Sequence, residues 1–192
     1  MSNFTISNEE ELQLAVTEAS IRLQAIQDYC GIQKNEFARV NFPRGFLRSA
    51  AYHRKRMPLG LDPLLLHNIS YSLMTLDVFR WLIVRTDIAG TAQSMVIKRA
   101  ISILAEIIET IVKTYSGKRR FDPAVEWLKK HEVVDDECIE KLKHIWRLRS
   151  SIHLWEAKVL EHNRYKTDDY NNAMVVYEQL RSGLVKKFGK HS

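Results

Sequence analysis

The sequence predicts an all-α protein, an antiparallel helical bundle of four long helices with extra helices at its N-terminal end. Three observations carry that expectation. Apolar residues recur at three- and four-residue intervals through long segments, the period of a helix with one buried face. The residues that break helices are few, 7 Gly and 4 Pro in 192 residues, and Pro43, Pro63, Gly90, Gly117 and Pro123 punctuate the periodic segments. No run alternates apolar and polar side chains as a half-buried strand does.

The first segment opens with Ser7 and Glu10, the spacing of a capping box, and predicts a helix over Asn8 to Tyr29. Leu12, Val16, Ala19, Leu23 and Ile26 form its stripe, expected to pack inward while Glu9, Glu10, Glu18 and Gln24 stay in water. Pro43 suits the first turn of a second helix, which would gather Arg44, Arg48 and Lys55 on one side. Asp62 and Pro63 then cap and start a helix to about Arg85. Two stripes on it, Leu65, Ile69, Leu76, Phe79 and Ile83, and Leu64, Tyr71, Val78 and Leu82, predict a central helix covered on two sides.

After the turn at Gly90, Ile97, Ile101, Leu104, Ile108, Ile111 and Tyr115 set out a helix from about Thr91 to Tyr115. Lys98, Glu106, Glu109 and Lys113 fall on its opposite side, and Gly117 with the cations after it ends it. A short helix follows from Asp122 and Pro123 to about His131, and Asp135 and Asp136 introduce the next. The polar string EHNRYKTDDYNN, residues 161–172, reads as a gap before a last helix carrying Ala173, Tyr177, Leu180, Leu184 and Phe188.

A chain 45% hydrophobic and 27% charged is long enough to bury a core, and one domain over residues 1–192 is expected, with an elaboration over 1–60 and the bundle over 62–188. No stretch reaches the apolar length of about 18 residues that a membrane span needs. The start, MSNFTISNEEEL, is polar and acidic and lacks the basic start and apolar run of a secretory signal, which predicts a cytoplasmic protein. Cys30 and Cys138 have no partners at ligand-like spacing and read as small core residues in a reducing compartment. His53, His67, His131 and His144 never join carboxylates in a metal-binding pattern, and Gly45, Gly60 and Gly90 stand alone, so neither a metal nor a cofactor is expected.

Charge is distributed unevenly. The stretch RVNFPRGFLRSAAYHRKR, residues 39–56, holds Arg39, Arg44, Arg48, Arg54, Lys55 and Arg56 without an acid, in a chain whose formal net charge is +6. Such a block is either a solvated face or the footprint of a phosphate-bearing partner.

The residues that bear most on function lie in WRLRSSIHLWE, residues 146–156. Counting about 100° per residue from Cys138, positions 142, 145, 149, 152, 153 and 156 return to the same side, so an apolar stripe changes into Arg149, His153 and Glu156, while Arg147 falls on the opposite face. A buried arginine needs an anion. Either Glu156 supplies it and the three form a core ion cluster, or the stripe opens into a groove where Arg149 and His153, one turn apart, face a phosphate.

An arginine, a short spacer usually beginning with a polar residue, and a histidine, late in an all-helical domain of this size, resemble the HEPN superfamily (higher eukaryotes and prokaryotes nucleotide-binding). ILAEIIETIVK is similar to the family's second core helix, and WLIVRTDIAGTAQSMVIKRAI is similar to a plasmid-associated branch. The family spaces arginine and histidine by four to six residues. Arg147 with His153 meets that count and Arg149 with His153 falls one short, whereas Ser150, following Arg149, supplies the polar neighbour. Both arginines remain candidates, Arg149 first by its placement on the helix. The resemblance implies a homodimer with a composite site between motif helices, metal-independent cleavage of RNA, and a toxin or defence role restrained by an antitoxin protein. It assigns His153 and Arg149 or Arg147 to catalysis; Arg44, Arg48, Lys55 and Glu156 are the candidate substrate-binding set. A module of the same fold that binds RNA or a nucleotide, or dimerises, without cleaving is the alternative.

Overall fold

The computed structural model describes residues 5–150 and 164–191. The chain divides into two compact units, residues 1–43 and 44–192, which are taken in turn. All regular structure among the described residues is helical apart from one isolated backbone bridge.

The first unit holds α1 (Glu9–Cys30) and a short 3-10 turn, Glu36–Ala38. Asn8 rather than Ser7 caps α1: its side chain accepts from the Glu11 backbone N–H at 2.8 Å, and the Glu11 carboxylate in return accepts from the Ser7 N–H at 2.8 Å. The cap is thus shifted by one residue from the predicted pair, and the carboxylate reaches back to the residue before the cap, not to the cap itself. Within the first unit the α1 stripe, expected to pack inward, is not enclosed: no α1 side chain is buried.

The second unit contains α2 (Ala50–Arg56), α3 (Pro63–Arg85), α4 (Gly90–Ser116), α5 (Phe121–Lys130), α6 (Asp136–Ser150) and α7 (Thr167–Phe188). The expected helix from Pro43 does not form. Gly45 takes φ +89°, outside the helical region, and the helix begins only where the Ser49 hydroxyl accepts from the Tyr52 N–H. At the start of α3 the prediction holds: Asp62 accepts from the N–H groups of Leu64 and Leu65, and Pro63 occupies the first turn.

α4, not α3, is the central helix. It packs against α3, α5, α6 and α7, and Ala100, Ile101, Leu104, Ile108, Ile111 and Val112 are at most 1% exposed. The second stripe proposed for α3 is not covered along its length: Leu64 is 72% and Tyr71 54% exposed, and Val78 and Leu82 are half-buried, while the side bearing Leu66, Ile69, Leu73, Leu76 and Ile83 is buried. The difference follows from breadth: α4 is apolar around most of its circumference, which only several neighbours can cover. Lys98, expected on the wet side of α4, is buried with its ammonium 5.9 Å from the Tyr165 ring centroid.

Contacts at the helix ends fix the directions of α3, α4 and α7. Tyr115 near the end of α4 donates to the Leu59 carbonyl just before α3, at 2.7 Å, so α3 and α4 are antiparallel. The Tyr115 and Phe188 rings lie 4.9 Å apart and the Tyr165 N–H donates to the Ser94 hydroxyl at 3.0 Å, so α4 and α7 run the same way. α7 begins inside the string expected to be a gap. Its entry is pinned by Tyr165 and Tyr170, each 3% exposed, and by the Asp169 carboxylate, which accepts from the Lys166 N–H at 2.8 Å. The chain end then returns to the start of the unit: the Leu59 N–H donates to the Gly189 carbonyl at 3.0 Å and the His191 N–H to the Met57 carbonyl at 2.9 Å.

No helix among the described residues is long and apolar enough to cross a membrane. Cys138 is 1% exposed and its thiol is pushed up to about 11 by burial.

Gly183 in α7 lies close against the loop that follows α5. A Cβ there would stand 2.0 Å from the Val133 carbonyl oxygen, which is backbone and cannot swing aside. Alanine is the better helix former by about 1 kcal/mol, yet Gly183→Ala is expected to cost about 1–3 kcal/mol through overpacking. A urea-denaturation midpoint equal to or above that of the wild type would show that α7 is not held against this loop.

Candidate functional site

On α6, Cys138, Leu142 and Ile145 are buried, as the periodicity predicted. The Trp146 ring stacks on Phe121 with centroids 4.6 Å apart. Arg149 continues the stripe to the edge of the core, its side chain 33% exposed, and its Nη1 forms an ion pair at 2.7 Å with Oε2 of Glu109 on α4. The guanidinium also lies 5.0 Å from the centroid of the Trp146 ring. Arg147 is exposed on the other face. Of the two arginines, Arg149 is therefore the one that shares a side with the buried stripe.

An anion for Arg149 is Glu109, a residue expected on the wet side of its helix. Its carboxylate is 13% exposed and serves two cations, Arg149 through one oxygen and Lys113 through the other. His153 and Glu156, the other members of the predicted constellation, lie outside the described residues.

The predicted basic face does not exist as a face of one helix. Arg44 lies in the turns before α2 and is exposed, and Lys55 is exposed on α2. Arg48 is withdrawn from it. Its guanidinium grips the Asp77 carboxylate on α3 through Nε and Nη2, and its backbone N–H donates to the same carboxylate at 3.0 Å. His53, 5% exposed, approaches Asp77 Oδ2 through Nε2 at 3.2 Å. Arg56 pairs with Glu178 of α7 at 3.1 Å and donates to the Tyr52 hydroxyl at 2.8 Å. Arg181 closes the set by donating to Glu178 and to the Arg56 carbonyl at 2.7 and 2.9 Å.

This network joins α2, α3 and α7. Burial alone would raise the Asp77 carboxyl, but the hydrogen bonds from His53 and Arg48 overcome it and hold Asp77 well below the usual carboxylate range. The Tyr52 phenol, beside Arg48 and Arg56, is also lowered, chiefly by Arg48. Asp77 has no free valence for a substrate, and the crevice beside it is lined by the pairs already satisfied. The arrangement is a structural clamp built from residues whose composition suggested a ligand surface.

The chain matches no protein-family model, and neither a curated protein nor a solved structure is detectably similar to it. Function rests on the residues themselves.

Asp77 was legible by the logic applied to α6. It follows Ser70 by seven residues and Leu73 by four, so it lies on the buried side of α3, a lone carboxylate on an apolar stripe. A buried acid calls for cations, and the basic segment before it holds them.

Asp77→Asn should destabilise the protein by about 3 kcal/mol near neutral pH, at the low end for breaking a buried pair because Arg48 remains partly exposed. The folded-state carboxyl is depressed, so its stabilisation is complete above the unfolded value, near 3.9, and is lost as pH falls through the folded one. Urea unfolding of both proteins across pH should give a gap that is constant from neutrality to mild acid and narrows only in strong acid. A gap that closed on going from pH 7 to pH 5 would contradict the assignment.

Proposed function

We propose that the chain is a HEPN-like, metal-independent endoribonuclease of the toxin or defence kind, acting as a homodimer on RNA in the cytoplasm and restrained by an antitoxin protein. The observation that supports this most directly is the position of Arg149: a guanidinium at the point where a buried stripe reaches solvent, oriented by Glu109 and Trp146. His153 follows it in sequence by four residues.

In this reading His153 takes the proton from a ribose 2′-hydroxyl or delivers one to the leaving 5′-oxygen, a task suited to a group whose unperturbed pKa is about 6.5. Arginine stabilises the charge that accumulates on the phosphate. The 2′-oxygen forms a bond to phosphorus as the bond to the 5′-oxygen breaks, leaving a 2′,3′-cyclic phosphate and a 5′-hydroxyl. The ion pair to Glu109 does not prevent this. A partly exposed pair is worth about 1 kcal/mol or less, and charge-assisted hydrogen bonds to a phosphate contribute about 1.5–3 kcal/mol.

A second reading is favoured by the same pair. Glu109 already balances Arg149, and the three-residue spacer before His153 is one short of the family's pattern, which fits a module of this fold that binds RNA or a nucleotide, or dimerises, without cleaving it. Of the predicted substrate-binding cations of the basic block, Arg44 and Lys55 are exposed and stand ready to contact a phosphate backbone.

The two readings separate in one assay, single-stranded RNA incubated with purified protein and a chelator. Cleavage should leave cyclic phosphate ends, should spare DNA of the same sequence, and should fall about 100-fold or more in His153→Ala and in Arg149→Ala. A smaller loss is expected for Arg147→Ala. RNA that is bound but left intact by the wild type would reject the nuclease in favour of the binding module, and equal cleavage by wild type and His153→Ala would reject catalysis by that histidine.

A further inference from the structure

Residues 44–61, 110–121 and 179–191 of the second unit contain no acid. Distant in sequence, they meet at the end of the bundle where α3 starts and α4 and α7 finish. The Tyr115 hydroxyl donates to the Leu59 carbonyl, the Leu59 N–H donates to the Gly189 carbonyl, and the Tyr115 and Phe188 rings lie 4.9 Å apart. Two of the stretches bring exposed cations there. Lys118, Arg119 and Arg120 follow Tyr115 in the connection to α5, and Lys186 and Lys190 stand two residues either side of Phe188. The acids that border this end are engaged or turned aside. Asp62 caps α3 by accepting from the Leu64 and Leu65 N–H groups, and Asp122 and Glu126 stand about 140° and 100° round α5 from Trp127. That leaves Glu132, in the turn after His131, against five cations.

A row of rings runs through the same end. Tyr115 packs on Phe188, the Phe188 and Trp127 rings are 6.4 Å apart and within 12° of parallel, and Trp127 stacks on His131 at 4.4 Å. Phe188 is 38% exposed, and Trp127 and His131 are half-buried. We propose that this end of the bundle binds a single strand of nucleic acid, with its phosphates on the cations and a base against the open part of the ring row.

The spread of charge selects a polymer. A lone phosphate would gain little from any one exposed cation, whereas a chain of phosphates engages several at once and releases the counterions held along it. The rings select which polymer. A single strand carries a flat base beside every phosphate, and its bases are free to stack on an aromatic side chain. An acidic peptide has no ring beside each charge, and a duplex keeps its bases in its own stack. The row is also fixed before anything binds: the Tyr115 hydroxyl is tied to the Pro58 and Leu59 carbonyls, and the Lys187 ammonium donates to the His131 carbonyl at 2.8 Å. Stacking on it therefore costs little ordering of the protein. The proposal does not rest on the ribonuclease reading.

The test is the fluorescence anisotropy of a labelled 2′-O-methyl oligouridylate titrated with the full chain in about 0.1 M salt, where surface charges still act over about 10 Å. The blocked 2′-oxygens prevent cleavage, so binding is read apart from any nuclease activity. Three variants are compared with the wild type. Arg119→Glu/Lys190→Glu reverses one cation in each group. Arg85→Glu/Arg99→Glu makes the same change in net charge at exposed positions away from this end, Arg85 closing α3 and Arg99 about 24 Å from Tyr115 along α4. Phe188→Leu keeps an apolar side chain and removes the ring. Far-UV circular dichroism and thermal melting confirm that each variant folds; if Phe188→Leu does not, the two double variants decide the case.

The first variant should bind about tenfold more weakly than the wild type or worse, the second within about twofold of it, and the third about fivefold more weakly. A wild type that leaves the oligomer free overturns the proposal, as does an Arg119→Glu/Lys190→Glu variant that binds as the wild type does. Equal losses in the two double variants also overturn it, because net charge would then suffice. A folded Phe188→Leu variant with wild-type affinity removes the stacking and with it the choice of a single strand. Binding to phosphatidylserine vesicles or to polyglutamate in place of the oligomer would assign the surface to a membrane or to an acidic protein, and overturns it too.

Discussion

A helix buried around most of its circumference needs a neighbour for every side, and that requirement organises the second unit. α4 is such a helix. α3, α5, α6 and α7 are each placed by the strip of α4 they cover, and their directions follow from the short connection between α3 and α4 and the shared ends of α4 and α7. The same burial dictates what happens to polar groups on α4. Ser94 takes a hydrogen bond from the Tyr165 N–H, Lys98 lies against the Tyr165 ring, and Glu109 is enclosed enough to need Arg149 and Lys113. The candidate arginine is therefore oriented by the core, and its position is a by-product of covering α4.

Helix existence was legible because it depends on local signals: Asp62 and Pro63 at the start of α3, Gly117 at the end of α4, the 3.6-residue period throughout. What covers each helix was not, because a stripe records that a face is apolar and says nothing of the partner. Leu64 and Tyr71 were apolar at the right spacing and remain in water. The α1 stripe repeats at the same four- and three-residue intervals as the buried stripe of α4, so spacing alone does not say whether a face is covered.

The charged residues show the same division. Periodicity along α6 placed Arg149 with the buried stripe and Arg147 opposite, and both placements hold through residue 150. The acid that balances Arg149 could not be read from the helix that carries it, since Glu109 belongs to another element. Nor could the fate of Arg48, whose partner Asp77 lies beyond a turn and on a different helix. The basic block looked like one surface because it is contiguous in sequence, but Gly45 breaks the helix that would have made it one.

The backbone pairing between Met57–Leu59 and Gly189–His191 joins segments separated by nearly the whole second unit. Closing so long a loop costs chain entropy that local helix formation does not. In folding, these hydrogen bonds should come after the bundle has assembled and brought its ends together. In the native state they should also be the first to open, because the strand-like tail beyond α7 has few buried groups behind it. The segment after α7 thus works as a fastener applied to a finished bundle, and the native structure begins to come apart there.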